Sequence, residues 1–238
     1  MVDRVVLLSS RRAYEFAPDA LRLTMLSTGE VQRRLREAFD FQSATIASPP
    51  ETFGPVPRTS PPGLVFGVGA MSDPDGKLVP IRFLHFEAQR IVIDAAGPSA
   101  TLDLAWQKIL SVVREVRAPD DTATIGEPVR QLDHSQVTFH ATFAPRKLLG
   151  TALQGLISDI FPNGGDSDEL TIAPTVLFHV TNRTGAYADS GSHGIFRLEL
   201  RAGERTDANI YYSSAPLPSE LHISYLSQLE AKAASAIG

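Results

Sequence analysis

Between Pro61 and Val116 the spacing of apolar residues changes from two to about 3.6, and that change dictates an order of elements. Leu64, Phe66, Val68 and Ala70 alternate with other residues, as a strand whose successive side chains face opposite ways requires. Ser72-Asp73-Pro74-Asp75-Gly76-Lys77 supplies a preset dihedral, side-chain acceptors and a residue free to take positive φ, so a hairpin loop is expected there. Ile81, Phe83 and His85 make the returning strand and Ile91-Val92-Ile93 a third, ended by Gly97-Pro98. From Ser99 onward Leu102, Ala105, Trp106, Ile109, Leu110 and Val113 fall on one helical stripe, which makes the single tryptophan a core anchor.

The same order is expected a second time. Ala173-Pro174-Thr175-Val176-Leu177-Phe178-His179-Val180 aligns by eye with Pro61-Pro62-Gly63-Leu64-Val65-Phe66-Gly67-Val68. Phe196, Leu198 and Leu200 alternate with Arg197, Glu199 and Arg201, and Asn209-Ile210-Tyr211-Tyr212 follows. Ser219 is placed to cap a helix carrying Leu221, Tyr225, Leu226 and Leu229. The expected fold class is therefore α+β, with a mainly antiparallel curved sheet and helices packed on one face. An internal pseudo-repeat of a strand-strand-strand-helix unit, residues 61–116 and 173–236, is part of that expectation.

Three stretches complete the expected organisation. Residues 1–45 form an N-terminal strand and helix segment: a strand over Arg4 to Leu8, a hairpin-like passage joining Tyr14-Glu15-Phe16 to Leu21–Leu26, and a helix opened by the capping-box pattern Ser27-Thr28-Gly29-Glu30. Residues 46–62 contain six prolines and read as an extended arm or linker, which separates that segment from an α+β core over 63–238. Within the core, the connector 117–172 holds an alternating strand, Gln136 to Phe143, and a helix after Pro145 with Leu148, Leu149, Leu153, Leu156, Ile157 and Ile160 on one face.

Charge and composition exclude several function classes. Net charge is -5, and residues 120–238 carry 8 Lys and Arg against 14 Asp and Glu, a balance of 8 − 14 = −6 that repels a phosphate backbone. Nucleic-acid binding is disfavoured, and the one basic cluster, Arg33-Arg34 with Arg36, reads as a solvated helix face. With no Cys, neither a disulfide nor a thiolate zinc site can form. Val5-Val6-Leu7-Leu8 is too short for a membrane span or a signal core, so a cytoplasmic, membrane-free protein is expected.

Candidate chemistry is sparse. None of the six His has the i, i+4 spacing of a helical zinc site, although strands could bring His85, His140 and His179 together. These three, with Tyr211 and Tyr212, are the candidate lining of a pocket between sheet and helices. Arg183, Tyr187, Asp189, Ser192 and His193 form a candidate contact loop. Its Ser, His and Asp are contiguous, whereas a triad needs them to converge from separate elements. Asn163 to Glu169 lacks the spacing of a calcium loop, and no Gly-rich phosphate motif, GxSxG or CxxC occurs. No cofactor, metal site or catalytic residue is assigned. The expected function is a non-catalytic protein-protein interaction or assembly subunit, as in a bacterial or phage multi-protein complex, with a protein partner or self-association. The alternative is a small-molecule-binding domain or enzyme using the pocket between sheet and helices.

Overall fold

The structure is a computed structural model that describes residues 4–22, 26, 28–47, 63–116, 125–143, 175–179, 195–205 and 208–235. Its elements are β1 (Arg4–Glu15), α1 (Gly29–Phe39), β2 (Ser43–Ala47), β3 (Gly63–Ser72), β4 (Leu78–Phe86), β5 (Arg90–Ala96), α2 (Ala100–Val116), β6 (Arg130–His140), β7 (Val176–His179), β8 (Ile195–Leu200), β9 (Ile210–Ala215) and α3 (Ser219–Ser235). The strands form one antiparallel sheet in the order β2-β3-β4-β5-β1-β6-β9-β8-β7. The described residues divide into two compact units, one over residues 9–135 and one comprising residues 4–8 and those from 136 onward. No described helix is long and apolar enough to cross a membrane. The Pro-rich arm, the 145–161 helix and the 183–193 loop expected from sequence lie outside the described residues.

In the N-terminal unit β2, β3, β4, β5 and β1 pair successively, all antiparallel. Leu64, Phe66, Leu84, Phe86, Ile91 and Ile93 face α1 and α2 and share one core with Val31, Leu35 and Phe39 of α1 and Leu102, Trp106 and Ile109 of α2. Trp106 stacks on Tyr14 of β1 at 4.1 Å between ring centroids. Ala13, Val65, Phe83 and Val92 form a separate buried cluster. The hairpin loop after β3 closes as its composition requires: Asp73 Oδ1 accepts bonds from the Asp75 and Lys77 amides, and Gly76 takes a φ of 79°.

Three local expectations change. β1 continues as one strand to Glu15, and Leu21 forms an isolated bridge with Ile125 in place of a hairpin with Tyr14 to Phe16. Thr28, not Ser27, occupies the N-cap of α1 and makes no side-chain cap bond, and the Glu30 carboxylate is engaged by Arg33 and Arg34 one turn on. Val68 takes a φ of 47°, so the alternation of β3 breaks there, with a matching register shift between Ile81 and Phe83 of β4. Ile81 therefore joins the helix-covered core and Phe83 the other cluster, although both were expected on one face. Gly69 follows the bulge, where a Cβ would lie 2.5 Å from the Phe39 carbonyl oxygen and 2.4 Å from the Phe41 ring, so only glycine fits.

In the C-terminal unit β7, β8 and β9 again form an antiparallel meander followed by a helix of 17 residues, the length of α2. Val137, Phe139, Phe143, Leu198, Tyr211 and Leu226 make its core. Leu198 is buried while Arg197 and Glu199 pair with each other on the opposite face, as the alternation in β8 demands.

Candidate functional site

The polar chemistry of the C-terminal unit is built from β9 and α3. Tyr211, Ser213 and Ala215 alternate inward along β9, and His222, Leu226 and Glu230 recur every fourth residue along the buried face of α3. Ser213 thus meets His222, with Oγ 2.8 Å from Nε2 and both residues fully buried. A Ser-His pair invites a nucleophilic reading, and the hydrogen bonds decide against it. The Ser213 hydroxyl has one proton and donates it to the Arg197 carbonyl at 2.8 Å. His222 must then donate from Nε2 to the Ser213 oxygen, the reverse of what a general base does. Burial lowers the His222 pKa to about 4, so the ring is neutral at neutral pH. The pair fastens α3 to β9.

Glu230 does the same two turns later. One of its oxygens accepts both the amide and the hydroxyl of Thr142, at 2.8 and 2.9 Å. The consequence is an unusual division of polarity, since α3 buries a histidine and a glutamate and turns Leu221 and Tyr225 outward, 41% and 47% exposed. Sequence reading named Leu221, Tyr225, Leu226 and Leu229 as the apolar residues of this helix; Leu226 is buried, Leu229 half-buried, and Leu221 and Tyr225 are exposed. Phe178 and Leu177 of β7 are also exposed, 56% and 44%, on opposite faces of the outermost strand of the sheet.

Polar groups in the N-terminal unit are engaged with one another. Asp94, fully buried on β5, is clamped by Arg11 at 2.8 Å and Arg82 at 2.5 Å. Arg12, on the opposite side of β1, binds Asp133 at 2.7 Å and Asp103 of α2. Burial acts to raise the Glu87 pKa, but His85 and Arg90 outweigh it and hold the carboxyl below the usual range. His85 Nδ1 lies 3.1 Å from Glu87, in a geometry that falls short of a well-directed hydrogen bond. Arg33 pairs with Glu30 and Glu37, and Arg34 with Glu30, so the basic cluster of α1 is largely neutralised by its own helix. A cleft of about 420 Å³ beside α1, lined by Gln32, Arg33, Arg36, Glu37, Asp40 and Phe41, opens to solvent.

The candidate pocket residues are distributed between the units. His85 is fully buried on β4 in the N-terminal unit. His140 ends β6, His179 ends β7, and Tyr211 and Tyr212 are neighbours on β9, all in the C-terminal unit. Tyr211 is packed between Phe139 and Phe143, its hydroxyl reaching the Phe143 carbonyl at 3.4 Å, and burial raises its pKa. The side chain of His179 and the loop residues Arg183, Tyr187, Asp189, Ser192 and His193 lie outside the described set. Among the described residues no three of His, Asp and Glu converge as a metal site. No protein-family model and no curated protein matches this chain.

Proposed function

We propose that this chain is a non-catalytic protein-protein interaction or assembly subunit, acting through a protein partner or by self-association. The observation that carries the reading is the outward apolar trio Phe178, Leu221 and Tyr225 in the C-terminal unit. Exposed apolar side chains gathered on neighbouring elements are what contact surfaces use. The commitment of the Ser213 hydroxyl to a backbone carbonyl weighs on the same side. We further propose that the two halves are related copies of one strand-strand-strand-helix unit. Support comes from the matching order β3-β4-β5-α2 and β7-β8-β9-α3, and from β1 and β6 each lying beside the last strand of a meander.

Light scattering and native mass spectrometry on the purified chain, with affinity capture from its native host, test the proposal. A defined oligomer or a stoichiometric complex is expected. A monomer that recovers no partner would overturn it.

A further inference from the structure

Three of the outward apolar residues, Phe178, Leu221 and Tyr225, lie on one side of the C-terminal unit, and helix geometry shows why. The buried face of α3 has two margins. At one, Glu230 reaches Thr142, just beyond β6, and at the other the His222 ring meets Phe196 of β8 edge-on at 5.9 Å. Continuing round the helix past the His222 margin at about 100° per residue brings first half-buried Leu229, then Tyr225, then Leu221. Because β8 is followed by β7 at the sheet's end, Tyr225 and Leu221 project on the β7 side. Phe178 is cross-strand partner to Phe196 and stacks on it at 5.5 Å, so it lies on the same face of the sheet as α3. Phe178, Phe196, Tyr225 and Leu221 thus border one channel between the helix flank and the outermost strand.

We infer that this channel binds an extended segment of a partner protein, which adds as a strand to the free edge of β7 and inserts alternate apolar side chains between Phe178 and the Tyr225–Leu221 flank. The inference rests on the interaction reading above and specifies its surface. Three observations select this occupant. Among the described residues β7 pairs only with β8, so no described strand takes up its outer row of amide and carbonyl groups. Thr175, Val176, Leu177, Phe178 and His179 include no Lys, Arg, Asp or Glu, so the edge lacks the charges that deter strand addition and favours an uncharged segment. The four described residues of β7 span about 13 Å, and two copies pairing edge to edge over that span alone would bury far less than the roughly 800 Å² per partner of a stable dimer. A short strand seated beside a helix suits a segment bound by main-chain bonds and one or two side-chain pockets.

The test uses the full chain immobilised against a displayed library of random peptides of about twelve residues, long enough to cover the edge in strand form. Phe178→Lys, Tyr225→Lys and, as a control in the other unit, Leu78→Lys are made alongside; all three side chains are exposed, so the fold is retained. Enriched peptides with apolar residues at every second position are expected. Their affinity should fall at least about tenfold in F178K and Y225K and stay unchanged in L78K. Absence of enrichment, enrichment of sequences with helical spacing, or binding indifferent to F178K and Y225K would overturn the inference. A concentration-dependent dimer of the wild-type chain abolished by F178K would replace the partner strand with a second copy. A complex or oligomer that survives in both variants would leave the interaction reading standing while removing the channel, and a wild-type chain that is monomeric and binds nothing would remove both.

Discussion

Helices α2 and α3 are each 17 residues long and each follows a three-strand antiparallel meander, yet they distribute polarity in opposite ways. α2 buries Leu102, Ala105, Trp106, Ile109, Val112 and Val113 and sends Asp103 to Arg12. α3 buries His222 and Glu230 among its inward residues, engages them with Ser213 and Thr142, and leaves Leu221 and Tyr225 outside. The difference separates a helix whose inward face is almost wholly apolar from one whose inward face includes two ionisable side chains held by hydrogen bonds.

The largest expected effect breaks the comparison at its centre. Trp106→Ala empties the ring stacked on Tyr14 and should cost about 3–5 kcal/mol, read as a lowered denaturation midpoint, whereas Tyr225→Ala should change stability by less than about 0.5 kcal/mol. Similar losses in the two variants would mean that α3 uses its outer flank for folding, and the contrast would fail. Next comes acid. The His222 pKa is about 4 in the folded chain and near 6.5 when unfolded, so the unfolded chain binds the proton first as pH falls. Stability contributed by the neutral ring is complete above about pH 6.5, falls progressively toward pH 4 by up to about 3 kcal/mol, and is flat below. Hydrogen exchange of α3 amides should accelerate over that window ahead of α2 amides, and His222→Gln should remove much of the difference. Equal acid sensitivity of the two helices would dispose of it. The smallest effect concerns the first strands of the two meanders. Val68, 61% exposed at a φ of 47°, holds a β-branched side chain in the left-handed region, at a cost of about 1–2 kcal/mol. Val68→Gly should therefore raise the midpoint by roughly 1 kcal/mol despite glycine's greater unfolded freedom. A loss of stability would show that the Val68 side chain packs in a way its exposure does not suggest.

Much of this fold was readable where a local rule governs. The Asp73-to-Lys77 reversal, the stripe of α2 and the alternation of β8 each follow from period or turn chemistry, and the structure places Trp106 in the core as expected. What escaped depends on partners distant in sequence. Nothing near Arg82 marks the register shift between β4 and β5, so Ile81 and Phe83 were assigned one face when that shift gives them two. The capping box at residues 27–30 was misplaced: with Thr28 as N-cap the reciprocal position falls on Val31, and Glu30 pairs with arginines one turn on. Of the candidate site, Tyr211 and Phe178 were noticed as residues, but their roles as core ring and surface ring follow from strand order alone. Ser213 and His222, nine residues apart across a strand-helix junction, carry no motif that periodicity reveals.

Adjacent arginines on β1 have a consequence for how the chain finds its alignment. Arg11 serves Asp94 on one side of the strand, and Arg12 serves Asp103 and Asp133 on the other. If β1 slid by one residue, one arginine would take its neighbour's place and the other anchor point would receive Ser10 or Ala13. Ala13 at the second anchor would leave Asp133 without its arginine, and Ser10 at the first would leave Asp94 to Arg82 alone. A slide by two would remove both arginines from their partners at once. The doublet thus acts as a lock with two wards, making one alignment of β1 preferred by charge as well as by packing.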